Sequence, residues 1–426
     1  MRLLRLLASS ALSALVGLGL AEAALQIVDH PPRSRGDHSL FFEHDSLLGW
    51  RNKPNVRGEL GEEEYRVELA FNSRGLRGPL RSYAKPAGTY RVLMLGDSFL
   101  EGYTVQEREL VTTGLEDLLD AAQGACRVEV IGLGTSGYST DQELLWLESE
   151  GLRYDPDLVV LMFYANDVWY NAQPSLTGPK PLFVVRGDTL VLTNVPVPQP
   201  NAEQRGEAGL GEEATRAVGV RSWLREESKL YALVRLALRN HPRVYALAIR
   251  AGLAEGGGEI ALDATGEMAV PAEFLVFLTR KPPEVHEAWR TTDALLERMR
   301  RSATRAGAGI LGFYISPPWS VDEQESAVRP QSGIFAADLD ARGVAKRFLE
   351  ACARASMPCI DATARFSQAA HALRQENRRL YFRYDRHWTA EGHRLAARIL
   401  ADRVLESGLS CRTGARAQPR RLQKIV

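Results

Sequence analysis

Two runs of uninterrupted apolar residues, Val92–Leu95 and Leu158–Phe163, constrain the fold of this chain most strongly. A strand that is covered by helices on both faces has a continuous apolar sequence. A strand with one solvent-exposed face instead has alternating apolar and polar residues. Segments with helical spacing separate such runs, and strands that alternate with helices form parallel sheets with helices on both sides. The sequence therefore predicts an α/β domain built on a single parallel sheet in three α/β/α layers.

The same patterns set the expected elements. Strands are predicted over Arg91–Leu95, Arg127–Ile131, Asp157–Phe163, Gly309–Ile315 and Pro358–Asp361. Helices are predicted near Glu107–Ala122 and over Thr140–Glu150, Glu287–Arg305, Gly343–Ala355 and Thr389–Glu406. The α/β alternation stops after the third strand and resumes near residue 287, so one discontinuous domain over residues 90–411 would carry a long insertion over residues 170–286.

Composition distinguishes the remaining segments. Residues 29–89 are rich in Pro, Gly and charge, and the alternating run Tyr65–Phe71 predicts a β-rich lead-in. Within the insertion, which we expect to be helical, Trp223–Arg250 has apolar residues at helical spacing among arginines. This segment is a packed helix, a lid over the substrate or a helix at a membrane surface. Residues 412–426 form a basic tail.

The first 28 residues are typical of an export segment. Arg2 and Arg5 precede an apolar run that extends to Leu20, and Ala21-Glu22-Ala23 fits a cleavage site. The apolar pattern continues through Val28, so an uncleaved anchor is an equal alternative to a cleaved signal peptide. We expect an exported protein, periplasmic or otherwise extracytoplasmic, that contacts the membrane through this segment if it is retained.

Charge and cysteine content exclude several functional classes. The 426 residues carry 53 basic and 53 acidic side chains, so no basic field favours nucleic acid, and a neutral substrate is expected. Neither a metal-ligand cluster nor a phosphate-binding glycine loop is apparent, and no cofactor or metal is expected. Cys352 and Cys359 are close enough in sequence to bridge a helix end to the next strand, or they are free buried thiols.

Three residues have the chemistry of nucleophilic acyl transfer. Ser98 follows a predicted strand within Gly96-Asp97-Ser98-Phe99, and the carboxyl end of such a strand is where open α/β sheets bind ligands. A serine hydroxyl needs a base to take its proton and an anion to orient that base. His387 and Asp385, which precede Thr389 as the expected N-cap of the last helix, supply both.

Four sequence blocks together resemble the SGNH/GDSL hydrolase superfamily from Tyr90 to about Leu405. They are Gly96-Asp-Ser-Phe99, Gly134-Thr-Ser-Gly137-Tyr-Ser-Thr140, Tyr164-Ala-Asn166-Asp167 and Asp385-Arg-His387-Trp388. The resemblance implies a flavodoxin-like fold with Ser98 as nucleophile, His387 as general base and Asp385 as the carboxylate that orients it. It also implies an oxyanion hole formed by the backbone N–H groups of Ser98 and Gly137 and the side-chain amide of Asn166. Asp167 is expected to be structural.

Two departures from the family pattern affect these expectations. Asp385 and His387 are separated by one residue instead of two, so the carboxylate would reach the ring along a different path, or another acid would support it. Tyr164 stands where the family commonly has glycine, which would narrow the site. The Asp-x-His-Trp form is similar to exported members that act on cell-surface polysaccharides, including alginate O-acetyltransferase-like proteins.

The sequence thus predicts an exported serine esterase that hydrolyses or transfers a short acyl group, acetyl in particular, on an ester or acylated saccharide. Two alternatives remain open. One is a lipase or phospholipase that uses Trp223–Arg250 at a lipid surface. The other is a non-catalytic polysaccharide-assembly protein on the same fold, because a fold alone does not establish activity.

Overall fold

The computed structural model describes most of the chain. The described residues are 13, 16–27, 38–122, 127–176, 178–199, 228–231, 233–234, 260–262, 269–322 and 340–408.

The strands of the described residues are, in chain order, β1 (Phe42–Asp45), β2 (Gly49–Asn52), β3 (Arg57–Gly61), β4 (Arg66–Ala70), β5 (Thr89–Gly96), β6 (Arg127–Gly134), β7 (Leu158–Tyr164), β8 (Leu182–Arg186), β9 (Thr189–Thr193), β10 (Ile260–Leu262), β11 (Ala269–Pro271), β12 (Gly309–Ile315) and β13 (Cys359–Asp361). The helices are α1 (Ser98–Glu101), α2 (Val111–Ala122), α3 (Thr140–Ser149), α4 (Asn166–Tyr170), α5 (Pro283–Arg305), α6 (Pro318–Val321), α7 (Gly343–Arg354), α8 (Thr363–Gln375) and α9 (Ala390–Glu406). Short 3₁₀ helices span His38–Phe41, Glu107–Glu109, Gly151–Tyr154 and Ala272–Phe277.

Five strands form one parallel sheet in the order β6-β5-β7-β12-β13. Gly96, at the end of β5, lies opposite Gly134 in β6 and Met162 in β7. Counted along the chain, this is the 2-1-3-4-5 order of flavodoxin-like folds, in which ligands bind at the switch point between the first and third strands. The carboxyl ends of β5 and β7 border that point, so the residues that follow them are placed for function.

Successive residues of the central strands face opposite helical layers. Leu93, Leu95 and Phe163 pack in a cluster that includes residues of α3, α5 and α7. Met94 and Met162 pack in a second cluster with residues of α2, α8 and α9. All five side chains are fully buried. The continuous apolar runs are therefore explained by burial on both faces, and the predicted three-layer α/β/α architecture is confirmed.

Most of the predicted strands and helices are present in the sheet domain, but the helix near Glu107 and the helix α8 differ from the prediction. The helix expected near Glu107 is divided, because Leu110 has extended backbone angles between the 3₁₀ turn Glu107–Glu109 and α2. Helix α8 was not predicted from the sequence. Its buried residues are Thr363 and Phe366 alone, so its apolar pattern is too sparse to indicate an amphipathic helix.

The lead-in contains two antiparallel hairpins, β1–β2 and β3–β4. It lies against the carboxyl edge of the sheet. The Asn52 side chain donates to the Gly134 carbonyl (3.0 Å), and the Trp50 indole donates to the Ser136 carbonyl (2.9 Å). The buried Arg77 guanidinium donates to the carbonyl of Val105 (3.0 Å) in the segment after α1. The lead-in is thus connected to the loops that follow β5 and β6.

The insertion was expected to be helical, and for its described parts over residues 182–193, 260–262 and 269–271 this expectation is wrong, because they form antiparallel strand pairs. The residues of β8 and β9 are mostly half-buried, so their burial gives no clear apolar pattern in the sequence. Strands β8 and β9 pair across a turn in which Gly187 has φ 59°, and β10 pairs with β11. Lys180, just before β8, is fully buried and forms an ion pair with Asp141 in α3. Most of Trp223–Arg250 lies outside the described residues, as does the basic tail 412–426.

Cys352 in α7 and Cys359 in β13 form a disulfide bond with a Cα–Cα distance of 6.2 Å. The sequence left open whether these two cysteines form a disulfide or are free buried thiols, and the structure shows the disulfide. Cys126 and Cys411 lie outside the described residues.

Residues 16–27 of the N-terminal segment are helical. Glu22 accepts hydrogen bonds from the Ser228 hydroxyl (2.9 Å) and the Lys229 backbone N–H (2.9 Å), so this helix contacts the insertion. None of the helices that the structure describes combines the length and the apolar character needed to cross a bilayer.

Candidate active site

The turn after β5 holds Ser98 at the carboxyl edge of the sheet. The buried Asp97 carboxylate accepts a hydrogen bond from the Phe99 N–H (2.9 Å) and caps α1, which starts at Ser98. A Cβ at Gly96 would lie 2.9 Å from the Leu100 Cβ, so only glycine allows this helix to turn back so tightly over β5. Gly102 ends α1 in the left-handed region at φ 65°. These constraints fix the Ser98 backbone.

His387 and Asp385 reach Ser98 from the other end of the chain. The Ser98 Oγ lies 2.7 Å from the His387 Nε2, and the His387 Nδ1 lies 2.7 Å from the Asp385 Oδ1. The His387 backbone N–H also donates to the same carboxylate oxygen (3.2 Å). A hydroxyl, an imidazole and a carboxylate therefore form one hydrogen-bonded chain, as the sequence pattern predicted.

The short Asp-x-His spacing is accommodated by the backbone of the intervening residue. Arg386 has φ 72°, a left-handed conformation that is uncommon for a residue with a side chain. The turn is closed by hydrogen bonds from the Phe382 N–H to the His387 carbonyl (2.9 Å) and from the Arg386 N–H to the Phe382 carbonyl (3.2 Å). Asp385 thus reaches the ring directly, and the different path that the spacing required is this left-handed turn.

The element after the turn also fits its prediction. The Thr389 hydroxyl accepts a hydrogen bond from the Glu391 N–H (3.2 Å) and caps α9. Trp388 is fully buried and packs edge-on against Phe99, with ring centroids 5.1 Å apart. The His387 loop is therefore held on one side by a helix cap and on the other by an aromatic side chain in the core.

Aromatic rings enclose the imidazole. The ring of Phe99 lies 4.6 Å from that of His387, and Tyr103 lies edge-on at 4.9 Å. Tyr164 contacts Phe99 with ring centroids 4.8 Å apart. The Tyr164 ring therefore contacts the same Phe99 ring that packs against His387.

The surroundings favour the charged forms of both members of the His387–Asp385 pair. Burial by itself would lower the pKa of His387, but the Asp385 charge and hydrogen bonds, with a contribution from Asp97, raise it above its ordinary value of 6.5. Burial would likewise raise the pKa of Asp385, but His387 and the surrounding hydrogen bonds hold it below its ordinary value. An ionised Asp385 can therefore fix the orientation and tautomer of the ring.

Gly137 and Asn166 lie at the same sheet edge as Ser98, because they follow β6 and β7, the two neighbours of β5. Gly137 has φ 79° in a turn closed by the Tyr138 N–H and the Thr135 carbonyl (3.1 Å). The side-chain oxygen of Asn166 is buried and has no hydrogen-bond partner among the described residues. The expected oxyanion-hole residues are thus brought to one region.

Beneath this edge lies a group of fully buried acids, Asp97, Glu143 and Asp167. Asp167 accepts hydrogen bonds from the Thr140 hydroxyl (3.2 Å) and the Tyr164 N–H (3.4 Å), so it ties β7 to α3. Burial raises the pKa of Asp97 to about 6. Burial, with the charge of Asp97 among others, raises the pKa of Asp167 well above its usual range. The contacts of Asp167 are structural, as expected.

Sequence reasoning missed three side chains that touch this site. The Tyr103 hydroxyl lies 3.1 Å from both the Asp385 Oδ2 and the His387 Nδ1, and the Tyr65 hydroxyl lies 3.2 Å from the same Oδ2. Glu64 accepts hydrogen bonds from the backbone of the Asp385 loop. These contacts join residues about 280 to 320 positions apart, and no local pattern signals them. No group of three or more His, Cys, Asp or Glu residues suited to a metal ion occurs in the described part of the chain.

Comparison with solved structures finds similar chains of low sequence identity. An acetyl xylan esterase is 13% identical (75% of this chain, 100% of that chain, TM-score 0.36). An acetylxylan esterase from Geobacillus stearothermophilus is 14% identical (76% and 96%, TM-score 0.37). A lipase/acylhydrolase from Enterococcus faecalis is 15% identical (76% and 100%, TM-score 0.36). No curated protein matches the sequence.

The model of the GDSL-like lipase/acylhydrolase family matches residues 94–395, which include all four sequence blocks and well over half of the 426 residues. The matched region begins within β5 and ends in α9, so it contains the other four strands of the parallel sheet, the carboxyl end of β5 and the Ser98–His387–Asp385 chain. The chain belongs to the GDSL-like lipase/acylhydrolase family and is an ester-bond hydrolase.

Proposed function

We propose that this protein is an exported serine esterase that removes or transfers a short acyl group through a covalent intermediate on Ser98. The observation that carries the proposal is the pair of 2.7 Å distances that link Ser98 to His387 and His387 to Asp385. Such a chain allows the imidazole to take the hydroxyl proton while the carboxylate stabilises the imidazolium that forms.

In this mechanism the Ser98 Oγ attacks the ester carbonyl as its proton moves to the His387 Nε2. The tetrahedral intermediate carries negative charge on the former carbonyl oxygen. The N–H groups of Ser98 and Gly137 and the Asn166 amide would donate to it, and donors fixed in advance need no reorganisation. The protonated Nε2 then returns its proton to the leaving alkoxide, and the acyl group remains on Ser98.

The second half of the reaction reverses these proton transfers. His387 takes a proton from water or from a sugar hydroxyl, and that oxygen attacks the acyl-enzyme. Water gives hydrolysis, whereas a hydroxyl held in a water-poor site gives acyl transfer. Both outcomes use the same three residues, so the acceptor decides between them.

A short acyl group, acetyl in particular, fits the aromatic surroundings of Ser98. Tyr164 occupies a position next to Asn166 where the family commonly has glycine, and its ring packs on Phe99 beside His387. We infer from this packing that the site favours a short acyl chain over a long one. We propose an acylated saccharide as the substrate, in keeping with the Asp-x-His-Trp form of the last block and with the neutral charge balance.

Export and membrane attachment are part of the proposal. The Cys352–Cys359 disulfide supports an oxidising compartment, because cytosolic thiols are kept reduced. The hydrogen bonds from Ser228 and Lys229 to Glu22 support retention of the N-terminal helix, since cleavage after Ala23 would remove their acceptor. The retained helix would contact the membrane through exposed apolar side chains such as Leu20 and Ile27. Retention of the helix is tested by N-terminal sequencing of the exported protein. A first residue that lies beyond Ala23 would contradict retention.

The reaction is tested with acetyl and decanoyl esters and with an acetylated oligosaccharide, with free acetate and acetylated product counted separately. We expect wild type to prefer acetyl substrates and Ser98→Ala to lose several orders of magnitude in turnover. A Ser98→Ala variant that folds and retains turnover would contradict the mechanism. A clear preference for decanoyl esters would contradict the short-acyl assignment.

A further inference from the structure

The turn between β3 and β4 reaches the Asp385 loop from outside the region that the family model matches. The matched region begins at residue 94, and this turn lies about thirty residues earlier, in the lead-in. Two consecutive residues of the turn, Glu64 and Tyr65, make the contacts. The acid–base part of the site is thus completed by a segment that lies outside the region matched by the family model.

Glu64 holds the backbone of the loop. Its carboxylate accepts hydrogen bonds from three consecutive N–H groups, those of Arg383 (2.7 Å), Tyr384 (2.7 Å) and Asp385 (3.0 Å). Irregular backbone leaves such donors without partners, and hydrogen bonds to a charged acceptor are about twice as strong as neutral ones. Glu64 therefore fixes the loop immediately before the left-handed residue Arg386.

Tyr65 holds the carboxylate itself. Asp385 Oδ1 accepts hydrogen bonds from the Nδ1 and the backbone N–H of His387, and Oδ2 accepts the hydroxyls of Tyr65 (3.2 Å) and Tyr103 (3.1 Å). Four donors match the approximately four lone-pair sites of a carboxylate. The Tyr65 ring is held in turn by Phe382, with ring centroids 5.3 Å apart. Asp385 can thus neither rotate nor shift without losing a hydrogen bond.

We propose that Glu64 and Tyr65 are positioning residues for the general base, so that the lead-in is a required part of the active site. Glu64 fixes the path of the loop, and Tyr65 fixes the orientation of the carboxylate that holds His387. The proposal rests on the proposed roles of Ser98, His387 and Asp385.

If Tyr65 positions Asp385, its replacement should change the pKa of His387, whereas replacement of a purely structural residue should not. The Tyr65 hydroxyl offsets part of the negative charge of Asp385, so Tyr65→Phe leaves that charge stronger at the imidazole, which then binds its proton more tightly. Among the described residues, the titratable and charged groups near His387 are Asp385 and Arg386 on its own loop, Asp97 before α1, Tyr103 after α1, Tyr65 and Glu64 in the lead-in, and His393 in α9. Tyr65→Phe changes one of them without adding a charge.

The experiment uses the full chain and measures kcat and KM for an acetyl ester from pH 5 to 9 in Tyr65→Phe and Glu64→Gln. The matched control is Glu68→Gln, which removes a carboxylate from the same hairpin where it pairs with Arg57 on the exposed surface. We expect kcat to fall about 10- to 100-fold in both test variants with little change in KM, because a small misplacement of a catalytic group has effects of this size. Tyr65→Phe should also move the acidic limb of kcat/KM to higher pH, and Glu68→Gln should match wild type.

Unchanged kcat in folded Tyr65→Phe and Glu64→Gln would overturn the proposal, and so would a fall in kcat in Tyr65→Phe without movement of the acidic limb. Thermal unfolding of each variant separates loss of folded protein from loss of turnover, and Tyr65→Phe keeps the ring that packs on Phe382. Ser98→Ala, assayed in parallel, separates a failure of the proposed function from a failure of the positioning role. Turnover that survives Ser98→Ala refutes the proposed function, whereas turnover lost in Ser98→Ala but unaffected in Tyr65→Phe refutes only the positioning role.

Discussion

A single left-handed residue, Arg386, allows the short Asp-x-His motif of this chain to bring its carboxylate to its imidazole. In an extended backbone, the side chains of Asp385 and His387 would lie on the same side of the strand, but they would be too far apart along it for a hydrogen bond. The turn at Arg386 brings the Asp385 carboxylate back to the Nδ1 of His387 at 2.7 Å. The conformation of one residue therefore decides whether the acid reaches the base.

The raised pKa of His387 gives the esterase activity a predictable pH dependence. Only the neutral imidazole accepts the Ser98 proton, so kcat/KM should fall as the pH decreases through the His387 pKa. Because Asp385 raises that pKa, the acidic limb should lie above pH 6.5. Asp385→Asn should move the limb to lower pH and decrease kcat by about 10⁴-fold, since the ring loses its tautomeric partner.

The measurement is a pH profile of kcat/KM for both proteins. Asp402→Asn is the matched control, because it removes an exposed carboxylate that pairs with Arg365 on the surface. An acidic limb below pH 6.5 in wild type, or an unchanged limb in Asp385→Asn, would contradict the role of His387 as this base.

At the residue scale, the sequence was sufficient to predict site residues that lie in recognisable sequence motifs. Ser98, Asp385 and His387 were found because each stands in a short motif with a defined chemistry, and the structure brings them together. Tyr65 and Tyr103 were not found, because a tyrosine in a loop has no signature until folding places its hydroxyl on a carboxylate 320 or 282 residues away.

At the element scale, prediction succeeded where burial was complete. β5 and β7 are covered on both faces, so their apolar runs marked them as sheet strands. Helix α8 and hairpin β8–β9 were missed, because α8 buries few side chains and β8 and β9 are mostly half-buried. Elements that depend on a few tertiary contacts have no clear apolar pattern in the sequence.

The connection between α3 and the insertion depends on a buried ion pair. Lys180 and Asp141 are both fully buried, and Lys180 also donates to the Tyr170 carbonyl (3.0 Å). Burial lowers the pKa of Lys180 and raises that of Asp141, and their mutual attraction counteracts both shifts. Removal of one partner leaves the other buried without its counter-charge.

We therefore expect Lys180→Met to lower the free energy of unfolding by about 3–5 kcal/mol, as is typical when one member of a buried pair is removed. The double variant Lys180→Met/Asp141→Leu should recover part of this loss, because it removes the unpaired charge. Denaturant unfolding measures both values, with the exposed Lys346→Met as the control at less than about 0.5 kcal/mol. Equal losses in the single and double variants would contradict the ion-pair account.

At the scale of the whole molecule, the proposed active site combines residues that are far apart in the sequence. Ser98 follows the first strand of the sheet, His387 precedes the last helix, and Tyr65 comes from the lead-in before the sheet begins. The alternation of strands and helices predicted this sheet, but it contained no information on how the lead-in packs. That packing uses contacts such as Asn52 to Gly134 that only the complete fold creates.

The Cys352–Cys359 disulfide contributes to the stability of the whole molecule. It closes a short loop, with a sequence separation of seven, between α7 and β13. By the loop-closure argument, the double variant Cys352→Ala/Cys359→Ala should lower the free energy of unfolding by about 2 kcal/mol. We expect kcat to be unchanged, because β13 is the edge strand farthest from β5 in the order of the sheet. Denaturant unfolding without added reductant tests this, and an unchanged midpoint would contradict it.

The central claim is that Ser98 is a nucleophile activated by His387, and covalent labelling tests it most directly. The protein is exposed to an organophosphonate, and the modified residue is located by mass spectrometry of its peptides. We predict one equivalent of label on Ser98, no label in Ser98→Ala, and strongly slowed labelling in His387→Ala. Wild-type protein that is folded and turns over an acetyl ester, yet takes no label at Ser98 or takes it at another residue, would contradict the account.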